Sequence, residues 1–189
     1  LKRVIRKAPE LEAQLVQRLQ DAEDETVGMQ QLLNDLLDLS RSDSGRLQVK
    51  QEPVDLRPLL EEVVRAQGAA LDRELTLELP SEGQSTTALG DAARLRQVLL
   101  NLIENAHKYS PPEQPIQLRL RSGLNNLMLE VEDRGIGIPL QDQAYVFDRF
   151  HRGANTTGQS GSGVGLSVVK LLLEGMGGSI KVTSEPGMG

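Results

Sequence analysis

At 189 residues the chain has room for one good core and a smaller element, and its 38% hydrophobic content is that of a globular protein. A formal net charge of −6 argues against broad nucleic-acid binding, and the lack of cysteine excludes disulfides, zinc-thiolate sites and a thiol nucleophile. With no Trp, two Tyr and two Phe, the core must be built from Leu, Val and Ile, and no apolar run in the chain as written reads as a membrane span or a signal peptide.

The basic cluster Lys2, Arg3, Arg6 and Lys7 reads as a solvated helix face, the tail of a helix that turns at Lys7-Ala8-Pro9. Residues 9 to 44 read as one long helix, with Pro9 in its first turn. Leu19, Ala22, Thr26, Met29, Leu33, Leu36 and Ser40 recur in steps of three and four, a heptad seam widened by Leu32, Leu37 and Leu39. A stripe of this kind needs partner helices, so the element belongs to a bundle or a dimer, and Ser42-Asp-Ser-Gly45 closes it with turn chemistry. In the second unit Leu47-Gln-Val49 alternates like a strand, and Asp55 caps a helix from about Leu56 to Ala70. Leu75 to Leu79 is a strand closed by Pro80, and Asp91 caps a helix that ends before Pro111-Pro112. Ile116 to Arg121 and Leu127 to Glu132 pair around Asn125-Asn126. A helical stretch at Gln141 to Phe150 then leads to a Gly/Ser/Thr-rich loop over 153 to 163, a helix from Val164 to Met176 and a strand from Ser179 to Thr183. The irregular mixture reads as a mostly antiparallel sheet with helices on one face, an α+β architecture.

Four stretches carry chemistry. In Asn101-Leu-Ile-Glu-Asn105-Ala-His-Lys108-Tyr109-Ser110 two carboxamides stand one helical turn apart beside Val98, Leu99, Leu100, Leu102, Ile103 and Ala106. Their oxygens can coordinate a hard cation such as Mg²⁺ and the lysine can meet a phosphate; the plainer alternative is a helix end whose polar residues face water. Asp133-Arg-Gly135-Ile-Gly137-Ile138-Pro139 leaves a strand with glycines that permit close approach and an acid able to accept from an exocyclic amine such as that of adenine, or is simply a tight turn. Phe147-Asp-Arg149-Phe150-His151-Arg152 precedes the loop; its phenylalanines would pin a lid to the core, and an arginine there can reach a terminal phosphate or remain a surface residue. Gly161-Ser-Gly163-Val-Gly165-Leu166 opens a helix whose amides make a phosphate cradle. The two histidines, His107 and His151, lack a second histidine at metal-ligand spacing, which rejects zinc.

In this order and spacing the blocks resemble the N box (Asn101 to Ser110), G1 box (Asp133 to Pro139), F box (Phe147 to Phe150) and G2 box (Gly161 to Leu166) of the catalytic, ATP-binding domain of sensor histidine kinases. Leu36 to Leu47 is similar to the second helix and linker of their dimerisation and phosphotransfer domain. The resemblance implies a partial helical domain over 1–45, forming a homodimeric four-helix bundle in the intact protein, and an ATP-binding α/β sandwich over 46–189. It implies ATP and Mg²⁺ as cofactors and a response-regulator receiver domain as partner. By position, Asn105 ligates Mg²⁺, Asn101 and Lys108 lie near the phosphates, and Tyr109 lines the pocket. Asp133 accepts from the adenine amine on a wall shaped by Gly135, Gly137 and Ile138, while Gly161, Gly163, Gly165 and Leu166 give the lid access to phosphate. Arg152 is the candidate for the γ-phosphate and shares the catalytic charge with Lys108.

Related ATPases such as gyrase, MutL and the heat-shock chaperones carry a water-activating glutamate four residues before the metal-binding Asn. Asn101 stands there in this chain and takes no proton, which favours transfer to a protein acceptor. The chain also lacks the H box that bears the family's phospho-accepting histidine. Its start at Leu1, late in a helix, and its end at Gly189, where a closing strand is expected, read as a fragment. The competing readings are a non-catalytic ATP-binding scaffold and a soluble ATPase or anti-sigma-type protein-serine kinase of the same fold.

Overall fold

The structure, a computed structural model, describes residues 8–156 and 161–189. The helix tail and turn expected at residues 1–7, and the middle of the Gly/Ser/Thr-rich loop at 157–160, lie outside the described residues. Helix α1 (Ala8–Asp43) ends where Gly45, at φ +65, takes the left-handed position that closes a helix, with Arg46 N donating to Arg41 O at 2.7 Å. No helix among the described residues is long and apolar enough to cross a membrane.

The seam read from the heptads is exposed along most of α1: Leu19 is 70%, Met29 58% and Leu33 61% accessible. Of the residues that widen it, Leu39 and Leu32 turn the other way, Leu39 buried and Leu32 packed beside it against Val98, Val164, Val168 and Leu172, while Leu37 stays 51% accessible. The long helix therefore presents two faces, one packed on the rest of this chain and one left exposed among the described residues.

After α1 residues 46–51 form no regular element; Leu47 and Val49 do not make the expected strand. Their alternation instead serves packing, with Leu47 in the cluster around Leu39 and Val49 against Gly175. Strand β1 (Glu52–Asp55) follows, pairing antiparallel with β3 (Thr87–Gly90), a strand too short to announce itself in sequence. Asp55 caps α2 (Leu56–Ala70) by accepting from Arg57 N at 3.1 Å, and its carboxyl is held below the usual range by the Thr86 hydroxyl first and that amide second.

A second sheet places β4 (Ile116–Ser122) between β2 (Leu75–Glu78), parallel to it, and β5 (Leu127–Glu132), antiparallel. The expectation of a mostly antiparallel arrangement thus holds except at β2–β4, where helix α3 (Ala92–Tyr109) lies between the strands in sequence and supplies the long connection a parallel pair requires. Leu60 of α2, Ile103 of α3, and Ile116 and Leu118 of β4 are fully buried where the two helices cover one face of this sheet. The opposite face carries charge: Arg119 pairs with Glu132 at 2.6 Å and with Glu78 at 3.2 Å.

The stretch expected as a helix from Gln141 to Phe150 is helical only as α4 (Leu140–Gln143). Successive turns replace it, Tyr145 N donating to Asp142 O and Asp148 N to Tyr145 O, because Phe150 leaves the helical region at φ +63 to pair with Gly163. Helix α5 (Gly165–Gly175) is followed by an extended segment in place of the expected strand from Ser179 to Thr183. Ile180 and Val182 alternate inward as a strand would, but the segment joins no ladder among the described residues.

Beside the apolar packing of Leu39 and Val98, α1 and α3 also meet through polar groups. Arg94 Nη1 bonds Asp38 Oδ2 at 2.7 Å, and Gln97 Nε2 reaches both Asp38 Oδ2 (3.1 Å) and Asp35 Oδ1 (3.3 Å). Burial pushes the Asp35 carboxyl up to about 6, only partly opposed by hydrogen bonds from Gln97 and Gln31. A carboxyl whose folded value is raised binds more protons folded than unfolded, so stability falls as pH climbs from the ordinary carboxylate range through about 6. Asp35→Asn keeps an acceptor without the charge and is expected to stabilise the chain by about 1–2 kcal/mol at pH 7.5. In thermal denaturation that gain should vanish towards pH 4; a gain independent of pH would contradict the assignment.

Candidate functional site

Helix α3 is the spine of the site. Asp91 caps it, its Oδ1 accepting from Ala93 N at 3.0 Å and Arg94 N at 3.3 Å. Burial alone would raise this carboxyl, but the amides of Lys50, Arg94 and Ala93 hold it low. Burial of Val98, Leu99, Ile103 and Ala106 fixes the helix's rotation, and with it where the two carboxamides stand. Asn101 is buried, donating from Nδ2 to Gln97 O, and its Oδ1 fills the space left by the missing side chain of Gly165: a Cβ there would stand 2.8 Å away. Asn105, one turn further, is half-buried and its side chain makes no hydrogen bond among the described residues. The two are therefore not equivalent: Asn101 is engaged in packing α3 against α5, whereas Asn105 is available to a ligand.

The last turn of α3 gathers three other segments. Lys108 Nζ lies 5.0 Å from the Tyr109 ring centroid, and the backbone of Gly161 passes so close that a side chain there would strike Lys108 Nζ. Gly163, at φ +70, accepts from Phe150 N at 2.9 Å and leaves no room for a Cβ against His151 O. Gly165 then starts α5, whose first turn carries the half-buried Leu166 and whose N-cap, Val164, offers no side-chain acceptor to the first amides. Such an end favours an anion.

The Asp133 turn leaves β5 directly and is seated on the end of α3: Ile136 N donates to Tyr109 O at 3.0 Å, and a Cβ on Gly135 would collide with that same carbonyl. Asp133 Oδ1 accepts from Gly135 N at 2.8 Å, while Oδ2 makes no hydrogen bond among the described residues. Burial raises the carboxyl; the Gly135 amide and the charge of Arg73 lower it, and Glu132 raises it again. Gly137, at φ +63, packs against Glu185 O, and Ile138 is held by Ser184 Oγ on its amide (2.8 Å) and Gln143 Nε2 on its carbonyl (2.9 Å). The turn is thus fixed from both sides.

At the root of the loop the expectation that both phenylalanines pin a lid to the core is corrected. Phe147 is half-buried, but Phe150 is 63% exposed and only its backbone ties the two strands of the loop together. Arg149 grips Asp43 at the end of α1 through two hydrogen bonds of 2.7 and 2.5 Å, which commits it away from any phosphate. Arg152 is exposed and donates to Thr156 O at 3.3 Å. One residue of the site has no sequence signal at all: Arg73, a lone arginine between α2 and β2, lies buried under the end of α3.

The family model for histidine kinase-, DNA gyrase B- and HSP90-like ATPases matches residues 90–189. The chain is 40% identical over 166 residues to a probable sensor histidine kinase, TcrY, of Mycobacterium tuberculosis, covering 86% of this chain and 34% of that protein. It is 35% identical over 171 residues to the sensor protein kinase WalK of Staphylococcus haemolyticus, 88% of this chain and 28% of that one. The chain thus spans about a third of the length of the curated relatives it matches. Among solved structures it is similar to the Acinetobacter baumannii histidine kinase AdeS, with a TM-score of 0.70 at 27% identity over 89% of this chain and 78% of that one. Full-length ShkA in complex with AMPPNP gives a TM-score of 0.72 at 27% identity, over 92% of this chain and 36% of that chain.

Proposed function

This chain belongs to the histidine kinase-, DNA gyrase B- and HSP90-like ATPase family, and we propose that it is the ATP-binding catalytic portion of a sensor histidine kinase. In this reading the γ-phosphoryl of ATP passes to a histidine upstream of Leu1 in the intact protein and then to an aspartate on a response-regulator receiver domain. Residues 1–45 belong to the helical dimerisation unit and 46–189 to the ATP-binding unit. The observation that carries the reading is the convergence on the C-terminal half of α3: Gly161 against Lys108, Gly165 against Asn101, and the Asp133 turn on the carbonyl of Tyr109.

Each group has a task there. Asp133 Oδ2 accepts from the adenine amine, with Gly135, Gly137 and Ile138 shaping the wall behind it. Tyr109 lines the pocket; Lys108 and Arg152 meet the phosphates; Gly161, Gly163, Gly165 and Leu166 bring amides of the loop and of α5 to the same charge. Mg²⁺ fits at Asn105, whose carboxamide makes no hydrogen bond among the described residues, because this ion takes most of its oxygens from phosphates and water. When bound it neutralises charge on the phosphate oxygens. Asn101 supports transfer to protein over hydrolysis: it stands where water-activating relatives have a base, and its carboxamide is occupied with Gln97 O and Gly165.

The test is to extend the chain upstream and incubate it with γ-labelled Mg-ATP. An acid-labile, alkali-stable protein label that is lost in Asn105→Ala is expected. Binding without any label would favour a non-catalytic scaffold, and free phosphate without labelled protein would favour an ATPase.

A further inference from the structure

Arg73 is nearly buried, at 7% accessibility, and makes no salt bridge among the described residues. Its guanidinium is surrounded by carbonyl oxygens. Nε and Nη2 donate to Gln114 O at 3.0 and 2.7 Å, and Nη1 donates to His107 O at 3.1 Å and Ser110 O at 3.4 Å. Nη2 further donates to Pro111 O and Ser110 Oγ, each at 2.7 Å, and Nη1 lies 3.4 Å from His107 Nδ1. An unpaired buried cation is costly, so this one is retained only because its donors are matched to an array of acceptors. The acceptors are carbonyls at the end of α3, its negative end, and those of the loop after it, among which Pro111 O also accepts from Gln114 N at 3.1 Å.

The held residues flank the seat of the Asp133 turn. His107 and Ser110 lie on either side of Lys108 and Tyr109; the Tyr109 carbonyl receives Ile136 N, and the Lys108 side chain meets Gly161. We infer that Arg73 is a positioning residue of the nucleotide site, holding the end of α3 so that the Tyr109 carbonyl seats the Asp133 turn in place to receive the base. This rests on the nucleotide-site reading above. Arg73 has a second, electrostatic connection to the same place: its charge favours the ionised form of the half-buried Asp133, against burial and the neighbouring Glu132.

The two contributions separate in two variants. Arg73→Lys keeps the charge but has too few donors, and a compact ammonium does not reproduce the planar fork; Arg73→Met removes both. ATP and ADP titrations of the wild-type chain and both variants are compared calorimetrically from pH 5.5 to 8.5, with circular dichroism confirming that each is folded. Arg73→Lys is expected to lose about tenfold in affinity, equally for ATP and ADP because the defect lies at the base end, with the pH profile of the wild type. Arg73→Met should lose at least as much and shift the acid limb of binding to higher pH, since Asp133 then holds its proton more tightly; phosphate ionisation cancels in the comparison between variants. Folded variants that bind with wild-type affinity and profile would overturn the inference while leaving the site intact, as would a loss confined to ATP. Failure of the wild-type chain to bind either nucleotide would instead overturn the underlying reading, and the inference with it.

Discussion

Asp133→Ala is expected to weaken adenine-nucleotide binding by about tenfold to a hundredfold, the range for losing a hydrogen bond to a charged, partly buried acceptor. Two things disappear together. In the proposed site Oδ2, which has no protein partner among the described residues, is the acceptor offered to the base, and Oδ1 shapes the turn through its 2.8 Å bond from Gly135 N. Calorimetric titration with ADP at pH 7.5 reads the loss directly. The same experiment has a pH signature: burial raises the Asp133 carboxyl, so wild-type affinity should begin to fall on acidification at a pH above the ordinary carboxylate range. The alanine variant should lack that component. Unchanged affinity in Asp133→Ala would remove the acid from the site altogether.

Gly135→Ala should be nearly as damaging, for a steric reason. The added methyl would run into the carbonyl oxygen of Tyr109 and stand 2.7 Å from Asp133 Oδ1, and neither can retreat cheaply. The first belongs to the backbone of α3 and the second is tied to the Gly135 amide. Overpacking of this kind costs about 1–3 kcal/mol, and the turn relieves it only by lifting off the helix, which breaks the bond from Ile136 N to Tyr109 O. The expected result is a lowered Tm together with loss of nucleotide binding that persists at temperatures where the variant is folded. Ala at Gly28, where nothing lies within 4 Å, is the control and should leave nucleotide binding unchanged.

Much of this site is legible in the sequence because it is built from residues with local signatures. Asp55 and Asp91 announce their helices, since an N-cap needs only its own side chain and the next few amides. The Asp133 turn and the glycine segment are readable because backbone approach and positive φ restrict which residues serve. What escaped is non-local. Arg73 looks like any arginine between two elements; only the folded chain brings the carbonyls of His107, Ser110, Pro111 and Gln114 around it. Leu47 to Val49 and Ser179 to Thr183 alternate as strands do, yet alternation reports which residues face the core and not whether a neighbouring strand is present. The two faces of α1 likewise read as one broad stripe in the sequence, because heptad spacing does not say that Leu39 packs on Val98 and Val168 while Leu19 and Leu33 stay exposed.

That these segments form one adenine-nucleotide site ending at Asp133 is tested by comparing ADP with IDP, which lacks the exocyclic amine. Calorimetric titration of the chain as it stands, with Mg²⁺ present, should give one ADP site per chain and binding of IDP weaker by about tenfold or more. Equal affinity for the two nucleotides, or no binding of ADP, would contradict it.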